Sequence, residues 1–307
     1  MAVSYYCLPM ARATAQPLTA NRADWGAYLE LLKPITWFPP MWAFACGVVS
    51  SGESLLDGWG LALAGMLLAG PLVCGTSQAV NDWFDRHVDA LNEPDRPIPS
   101  GRVPGRRGLW FALAWTGLSL GFALLLGPWV AGAAVFGLAL AWAYSAPPFR
   151  LKLNGWYGNA AVGLCYEGLP WFTAAAVMTA TRPSPEVIVL ALLYSIGAHG
   201  IMTLNDFKSL EGDHIMGVRS LPVQLGPDRA ARLACLVMLI PQLVVIALLI
   251  SWLQPLAAAA VAGLVGAQTA LMLRFLRAPA QRAVWYSAWG VTLYVLGMLV
   301  SAFAVRA

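Results

Sequence analysis

The sequence predicts an all-α polytopic membrane protein with nine transmembrane helices in two pseudo-repeated halves. Three observations support this fold class. Charged residues make up only 11% of the 307-residue chain, whereas soluble domains contain about a quarter. The mean hydropathy is +0.65. Nine apolar runs also approach the ~20 residues that a helix needs to span a bilayer.

The apolar runs are continuous rather than alternating, and this pattern favours helices over a transmembrane barrel. They cover residues 35–51, 60–80, 109–126, 128–145, 156–179, 186–204, 232–252, 255–273 and 284–304. We therefore expect a cytoplasmic segment of residues 1–30 and one transmembrane domain of residues 31–307. Two acidic loops interrupt that domain, at residues 81–107 and 205–229.

The distribution of Lys and Arg predicts the orientation in the membrane. Of the 19 basic residues, only Arg182 and Arg306 fall on one side of the nine predicted helices. Basic residues collect on the cytoplasmic side, so we expect a cytoplasmic N-terminus, cytoplasmic acidic loops and an external C-terminus. The net charge of +4 then reflects orientation and does not indicate a nucleic-acid partner.

The first acidic segment is QAVNDWFDRHVDALNEPDRPIPSGR, residues 78–102. Asp82, Asp85 and Asp89 are spaced to form one stripe on a helix. At ~6 Å such carboxylates repel by roughly 1–3 kcal/mol per pair at an effective dielectric constant of 20–40. Mg²⁺ removes this repulsion, and it is typically held by one or two carboxylates plus substrate phosphates. Because Arg96 and Arg102 lie nearby and Arg suits phosphate oxygens, the segment predicts a metal–diphosphate site.

A second acidic segment, LNDFKSLEGDHIMGVRSLPVQLG at residues 204–226, repeats the first. Asp206 matches Asp82, and Asp213 matches Asp89, each seven residues further on. Membrane proteins built from repeats often bind their ligand between the halves. The alternative is a solvated helix end with salt bridges in the loops, and two clusters in matching positions make it less favoured.

These segments resemble the two Asp-rich motifs of the UbiA superfamily of intramembrane prenyltransferases. DALNEPDRPIPSG and EGDHIMGVRSLPV are particularly similar to the chlorophyll and bacteriochlorophyll synthases. LKPITWFPPMWAFACGVVSSG, at residues 32–52, resembles the first helix of the bacteriochlorophyll branch. The resemblance covers the chain from about residue 31 to the last helix, and it implies a UbiA-like helical bundle.

The resemblance implies transfer of a geranylgeranyl or phytyl group from its diphosphate to the ring-D propionate of bacteriochlorophyllide a, with Mg²⁺ as cofactor. This is the late esterification step of bacteriochlorophyll synthesis. The expected partners are the prenyl diphosphate, the (bacterio)chlorophyllide, the lipid bilayer and pigment-synthesis or light-harvesting assemblies. The implied location is the bacterial inner or intracytoplasmic photosynthetic membrane.

Site residues are carried over from the superfamily by position. The carboxylates expected to hold Mg²⁺ are Asp82, Asp85, Asp89, Asp206, Glu211 and Asp213, and all of them except Glu211 form the expected catalytic set. The residues expected to contact the diphosphate are Asn81, Arg96, Arg150, Asn205 and Lys208.

Three further residues are candidates for binding the acceptor. Glu167 lies in the middle of a predicted span, where an ionisable group costs roughly 2.5–3.5 kcal/mol and usually faces a cavity or a partner. Its alternative is a protonated side chain that bridges helices. His199 is a candidate axial ligand of the chlorin magnesium, or a hydrogen-bonding core residue. Tyr144 can steady the charge of the allyl fragment, or it can serve as an interface anchor.

The predicted chemistry fits these residue types. A propionate is already ionised near pH 7, so the reaction needs no catalytic base. Breaking the allylic C–O bond places negative charge on diphosphate, which metal ions and basic side chains stabilise. Alternative functions for the same fold are prenyl transfer to other acceptors, namely chlorophyllide a, a quinone precursor or haem. A divalent-cation transporter is less favoured because only Glu167 places a carboxylate in the middle of a span.

Overall fold

The computed structural model describes residues 24–306, which fold into helices joined by short loops, and that range contains no β-strand. Residues 1–23, most of the predicted cytoplasmic segment, and Ala307, the predicted external C-terminus, lie outside the described residues. The first seven helices are α1 (Trp25–Leu31), α2 (Phe38–Ser50), α3 (Leu55–Leu67), α4 (Gly75–Asn92), α5 (Arg107–Leu125), α6 (Pro128–Ser145) and α7 (Gly155–Gly163). The other seven are α8 (Leu169–Thr179), α9 (Pro185–Asp206), α10 (Leu210–Ile215), α11 (Leu221–Leu225), α12 (Pro227–Ser251), α13 (Pro255–Phe275) and α14 (Pro279–Ala304).

The helices confirm an integral membrane protein. Within residues 24–306, eight helical stretches are long and apolar enough to cross a membrane. The ninth predicted span differs, because residues 35–51 form part of a 3₁₀ turn, Pro34–Thr36, followed by the 13-residue α2. Prolines occupy the first turn of α2, where their missing N–H groups leave no bond unmade, so the helix begins there.

The acidic stripe lies at the end of an unusually long helix. α3, a π-helical segment (Leu68–Cys74) and α4 form a continuous stretch of 38 residues. At 1.5 Å per residue this is about 57 Å, which exceeds the ~30 Å hydrocarbon core. The end that carries the stripe therefore projects beyond the apolar part, and the predicted loop at 81–107 is helical as far as Asn92.

Pro71 lies inside the π-helical segment. A proline at this position removes one backbone N–H and frees a carbonyl in the preceding turn. The backbone carbonyl of Pro71 itself accepts a hydrogen bond of 2.9 Å from Nε1 of Trp115 on α5. The neighbouring helix thereby satisfies an irregular backbone at membrane depth, as membrane proteins require.

Buried aromatic residues hold α9 against its neighbours. The hydroxyl of Tyr294 on α14 donates to the carbonyl of Tyr194 at 2.6 Å. Tyr194 and Ser301 share a further hydrogen bond of 2.8 Å. On the other side α2 approaches α8 closely, since a Cβ at Gly47 would lie 2.2 Å from the carbonyl oxygen of Trp171. Only glycine allows that approach.

The second acidic segment is tied to the start of α7. The backbone N–H of Gly155 donates to the carbonyl of Arg219 at 2.8 Å, and the N–H of Arg219 donates to Leu153 at 2.9 Å. A Cβ at Gly155 would lie 2.6 Å from the backbone nitrogen of Leu221. These contacts hold the loop that follows α10 against the bundle.

Candidate active site

Helix α4 carries the first group of predicted acids. Asp82, Asp85 and Asp89 occupy successive turns of this helix, as their spacing predicts. Asp82 is 2% exposed and Asp89 is 7% exposed. Burial of two carboxylates on one helix face is unfavourable unless each is paired.

Cations from distant parts of the chain supply that pairing. Nζ of Lys33 lies 2.6 Å from Oδ1 of Asp82, and Nζ of Lys152 pairs with Oδ1 of Asp85. Nη1 of Arg96 lies 2.9 Å from Oδ2 of Asp89 and 3.5 Å from Oδ1 of Asp82. These ion pairs relieve the repulsion that the sequence alone left uncompensated.

The turn that follows α4 brings Arg96 back over the stripe. The N–H of Ser100 bonds to the Arg96 carbonyl at 3.0 Å, and the N–H of Val103 bonds to the Pro97 carbonyl at 2.8 Å. Gly101 adopts φ +80° in this turn, a conformation that favours glycine. The prolines and the glycine of this segment thus position a guanidinium.

Lys33 and Arg150 have the same backbone setting in the two halves of the chain. Each precedes a 3₁₀ turn and has a left-handed conformation, with φ 45° for Lys33 and 42° for Arg150. Such strain in residues other than glycine is concentrated at functional sites. The match extends the predicted repeat, and Lys33 is a site residue that sequence reasoning missed. The available signal was a lone lysine directly before a proline at the start of an apolar run.

Burial and neighbouring charge shift the pKa values of the basic groups outside the membrane spans. Burial lowers the pKa of the Lys152 ammonium below its ordinary value, and the hydrogen bond with Asp85 acts in the opposite direction. The pKa of the Arg96 guanidinium is raised: burial acts to lower it, but the hydrogen bonds with Glu93 and the charges of Asp82 and Asp89 outweigh that effect.

The carboxylates of the second acidic segment have hydrogen bonds from uncharged side chains in place of ion pairs. Oδ2 of Asp206, the last residue of α9, accepts a hydrogen bond of 3.1 Å from Nδ2 of Asn159 on α7. Oδ2 of Asp213 accepts from the hydroxyl of Ser209 at 3.0 Å. Among residues 24–306 no Lys or Arg forms an ion pair with either carboxylate. Asn159 was missed by sequence reasoning because nothing in its local pattern distinguishes it.

The two segments approach one another near Tyr144, close to the end of α6. Asn81, directly before Asp82, and Met202, one turn before Asp206, line the same cavity as Tyr144. Nearby, Nδ2 of Asn81 donates to the hydroxyl of Ser145 at 3.3 Å. That both halves contribute to one site stays a prediction.

A cavity opens at the same place. It holds about 1100 Å³ of empty space, its open mouth included. Asn81 and Tyr144 line it beside the acidic segments, with Gln78 and Tyr166 next along the wall. Gln78 donates to the Tyr166 hydroxyl at 3.3 Å. Ala, Gly and Leu side chains line most of the remainder, so a polar mouth leads into an apolar chamber.

The carboxylate oxygens of the two acidic segments are the candidate ligands for Mg²⁺. Within residues 24–306 no three His, Cys, Asp or Glu side chains lie close enough together to enclose a metal ion. The carboxylates of Asp206 and Asp213 nevertheless accept hydrogen bonds only from the uncharged side chains of Asn159 and Ser209 in the described part of the chain. Mg²⁺ is usually held by one or two carboxylates plus substrate phosphates, so these residues fit that ion when a diphosphate completes its coordination.

Other predicted residues lie further from this centre. Glu211 and Lys208 are exposed on the segment that follows α9, and the side chain of Asn205 contacts the sulfur of Met202 at 3.8 Å. The position of Arg150 is set by its strained backbone next to Lys152. Their roles stay predictions.

Glu167 is buried between helices, and His199 is half-buried. Oε2 of Glu167 and Nδ1 of His199 have no hydrogen-bond partner in residues 24–306. The His199 ring packs 6.0 Å from that of Trp156. Neither side chain is among those that line the cavity within the described part of the chain. Glu167 lies in a second π-helical segment, Leu164–Gly168.

Comparisons with known proteins agree with this geometry. The profile of the "UbiA prenyltransferase family" matches residues 36–296. The chain is 61% identical over 280 residues to the bacteriochlorophyll synthase 33 kDa chain of Cereibacter sphaeroides, a match covering 91% of this chain and 93% of the relative. It is 52% identical over 299 residues to the protein of the same name from Rhodobacter capsulatus, covering 95% and 98%.

A solved structure shares the fold. A UbiA homologue from Archaeoglobus fulgidus, solved bound to GPP and Mg²⁺, matches 87% of this chain and 99% of its own, with a TM-score of 0.64 and 21% identity. The family profile and both relatives extend over most of the sequence. The chain therefore belongs to the UbiA prenyltransferase family.

Proposed function

We propose that the protein transfers a geranylgeranyl or phytyl group from its diphosphate to the ring-D propionate of bacteriochlorophyllide a. The observation that carries this proposal is the cavity, whose lining includes Asn81, directly before Asp82, and Met202, one turn before Asp206. Carboxylates from both halves at the opening of an apolar chamber suit a substrate with a diphosphate head and a hydrocarbon tail. The names of the two relatives support the tetrapyrrole acceptor.

The bond changes follow from the chemistry of the groups. An oxygen of the ionised propionate forms a bond to C1 of the prenyl chain, and the C1–O bond to diphosphate breaks. The diphosphate leaves with the electron pair. No proton has to move, because carboxyl groups are ionised near neutral pH.

The chain's own residues orient and stabilise the diphosphate. Asn81 and Asn205 offer amide donors, and Arg96 and Lys152 lie at the acidic stripe within reach of anionic oxygens. A diphosphate bound between these side chains would interact with the same cations that pair with the carboxylates. Lys208 and Arg150 are assigned to the outer side of the diphosphate.

Asp82, Asp85, Asp89, Asp206, Glu211 and Asp213 would hold Mg²⁺. The ion supplies Lewis-acid stabilisation of the charge that grows on the leaving diphosphate. Asp206 and Asp213 suit this role because the structure gives them no competing ion pair within residues 24–306. The homologue bound to GPP and Mg²⁺ supports the assignment.

For the acceptor we assign Tyr144, which lines the cavity, and we keep Glu167 and His199 as predicted positions. The protein is placed in the photosynthetic inner or intracytoplasmic membrane. Pigment-synthesis or light-harvesting assemblies remain the predicted protein partners.

The proposed orientation places the acidic ends in the cytoplasm, from the excess of basic residues there. In a cysteine-free background, a cysteine at Ser100 should react with an impermeant maleimide only in inverted vesicles. A cysteine at Thr181, at the opposite end of the bundle, should react only in right-side-out vesicles. The reverse pattern would overturn the orientation.

The decisive experiment uses purified protein in detergent with geranylgeranyl diphosphate, Mg²⁺ and either bacteriochlorophyllide a or chlorophyllide a. We expect ester formation with bacteriochlorophyllide a by chromatography, and its loss on adding EDTA. Ester with chlorophyllide a alone would change the acceptor. Prenylation of 4-hydroxybenzoate without either ester would keep the family and reject the proposed function.

A further inference from the structure

The lining of the cavity described above is polar at one end, the mouth, and apolar at the other. Asn81 and Tyr144 mark the mouth, whereas Leu68 and Ala134 line the far end. The helices that carry them run side by side, because Asn81 on α4 bonds to Ser145 on α6. Leu68 precedes α4 on the same continuous helical stretch, so both helices run from the far end to the mouth.

Packed side chains seal the far end. Leu68 and Ala134 belong to a buried hydrophobic cluster with Val130 and Val177. Leu68 is 1% exposed, Val130 1% and Val177 3%. The cavity thus stops at a floor of four side chains, Leu68, Val130, Ala134 and Val177, which we call the floor layer.

Helix geometry gives the depth of the cavity. Asn81 and Leu68 are separated along one helical stretch by about 20 Å, and Tyr144 and Ala134 along α6 by about 15 Å, at 1.5 Å per residue. An isoprene unit has four chain bonds, so it extends by about 5 Å if an extended three-bond residue spans ~3.5 Å. From mouth to floor there is room for about four units along the first helical stretch and about three along α6.

The α6 residues that line the cavity are spaced along the helix at about the length of one isoprene unit. Ala141, Gly137 and Ala134 follow one another along the face that lines the cavity. Helix turns repeat every 5.4 Å, close to the length of one isoprene unit. All three side chains are small, so a larger side chain at one of them would shorten the chamber by a defined number of units.

We infer that the floor layer determines the length of the prenyl donor, limiting it to at most four isoprene units. This inference rests on the proposed function, and it adds the residues that select the donor. We expect the substitution Ala134→Leu to have the largest effect on donor length, because the added carbons of the leucine would occupy the space of the terminal isoprene unit.

The test measures binding of the C10, C15, C20 and C25 prenyl diphosphates with Mg²⁺ to the full-length protein in detergent. For wild type we expect affinity to rise up to C20 and fall at C25. Ala134→Leu should lower the ratio of C20 to C15 affinity by about tenfold or more, the range for changes in a hydrophobic pocket. Ala139→Leu is the matched control, because Ala139 is exposed on the opposite face of the same helix, and its ratio should stay at the wild-type value.

A second variant works in the opposite direction. Leu68→Ala should open the floor and raise C25 affinity relative to C20 by about tenfold. Folding is checked by the elution profile and thermal midpoint in detergent. An unchanged ratio in both variants, or an equal loss for every donor, overturns the inference. Ester formation with bacteriochlorophyllide a tests the proposed function separately, since the binding series needs no acceptor.

Discussion

Asp206→Asn is expected to reduce prenyl transfer by about 10²–10³-fold or more, the range for losing one group that stabilises transition-state charge. Asp206 ends α9 beside the cavity mouth and has no cation partner among the described residues. An asparagine there can still accept the hydrogen bond from Asn159, so the fold should be kept while the metal-binding charge is lost. The measurement is the turnover rate with geranylgeranyl diphosphate and bacteriochlorophyllide a at saturating Mg²⁺.

Glu186→Gln provides the control for that variant. Glu186 lies in the first turn of the same helix, at the end away from the acidic segments. Its substitution removes one carboxylate from α9 and should leave turnover within about twofold of wild type, as expected for surface substitutions. Full activity in Asp206→Asn would remove Asp206 from the site. Equal losses in both variants would indicate damage to α9 instead.

Lys33→Met is expected to destabilise the protein by about 2–4 kcal/mol, because it leaves the carboxylate of Asp82 buried without its nearest partner. Arg96 lies 3.5 Å away and compensates only in part. The measurement is the free energy of unfolding in detergent. We also expect turnover to fall, since Lys33 orients Asp82 at the stripe.

The double variant Lys33→Met with Asp82→Asn distinguishes loss of the ion pair from loss of side-chain packing as the cause of the lower stability. Removing the unpaired charge of Asp82 should recover most of the lost stability, because removing one partner of a buried ion pair costs more than replacing both partners. Arg277→Met is the control, an exposed cation in the loop before α14. If Lys33→Met is as stable as that control, the pair contributes nothing to the fold.

Much of the site was predictable from the sequence because its signals are local. The spacing of Asp82, Asp85 and Asp89 requires only the period of a helix, and the structure places them on α4. The match of Asp206 to Asp82 required only comparison within the chain. The length of the apolar runs similarly located eight long helices.

The residues that complete the site could not be predicted in this way. Lys33 lies 49 residues from Asp82, Lys152 lies 67 from Asp85, and Asn159 lies 47 from Asp206. No local pattern links such pairs. Glu167 shows the same limit, because its position mid-span indicated a cavity or a partner, whereas the tertiary structure buried it between helices.

The sequence by itself determined that this protein crosses a membrane and carries two matching acidic helix ends. Hydropathy and helical period depend only on residues near one another in the chain. Only the tertiary structure decided which cations pair with the first segment, which carboxylates of the second lack an ion pair among the described residues, and where the cavity ends. Those outcomes depend on how helices distant in sequence pack, since the low dielectric between them makes each buried charge require a partner that the fold must bring to it.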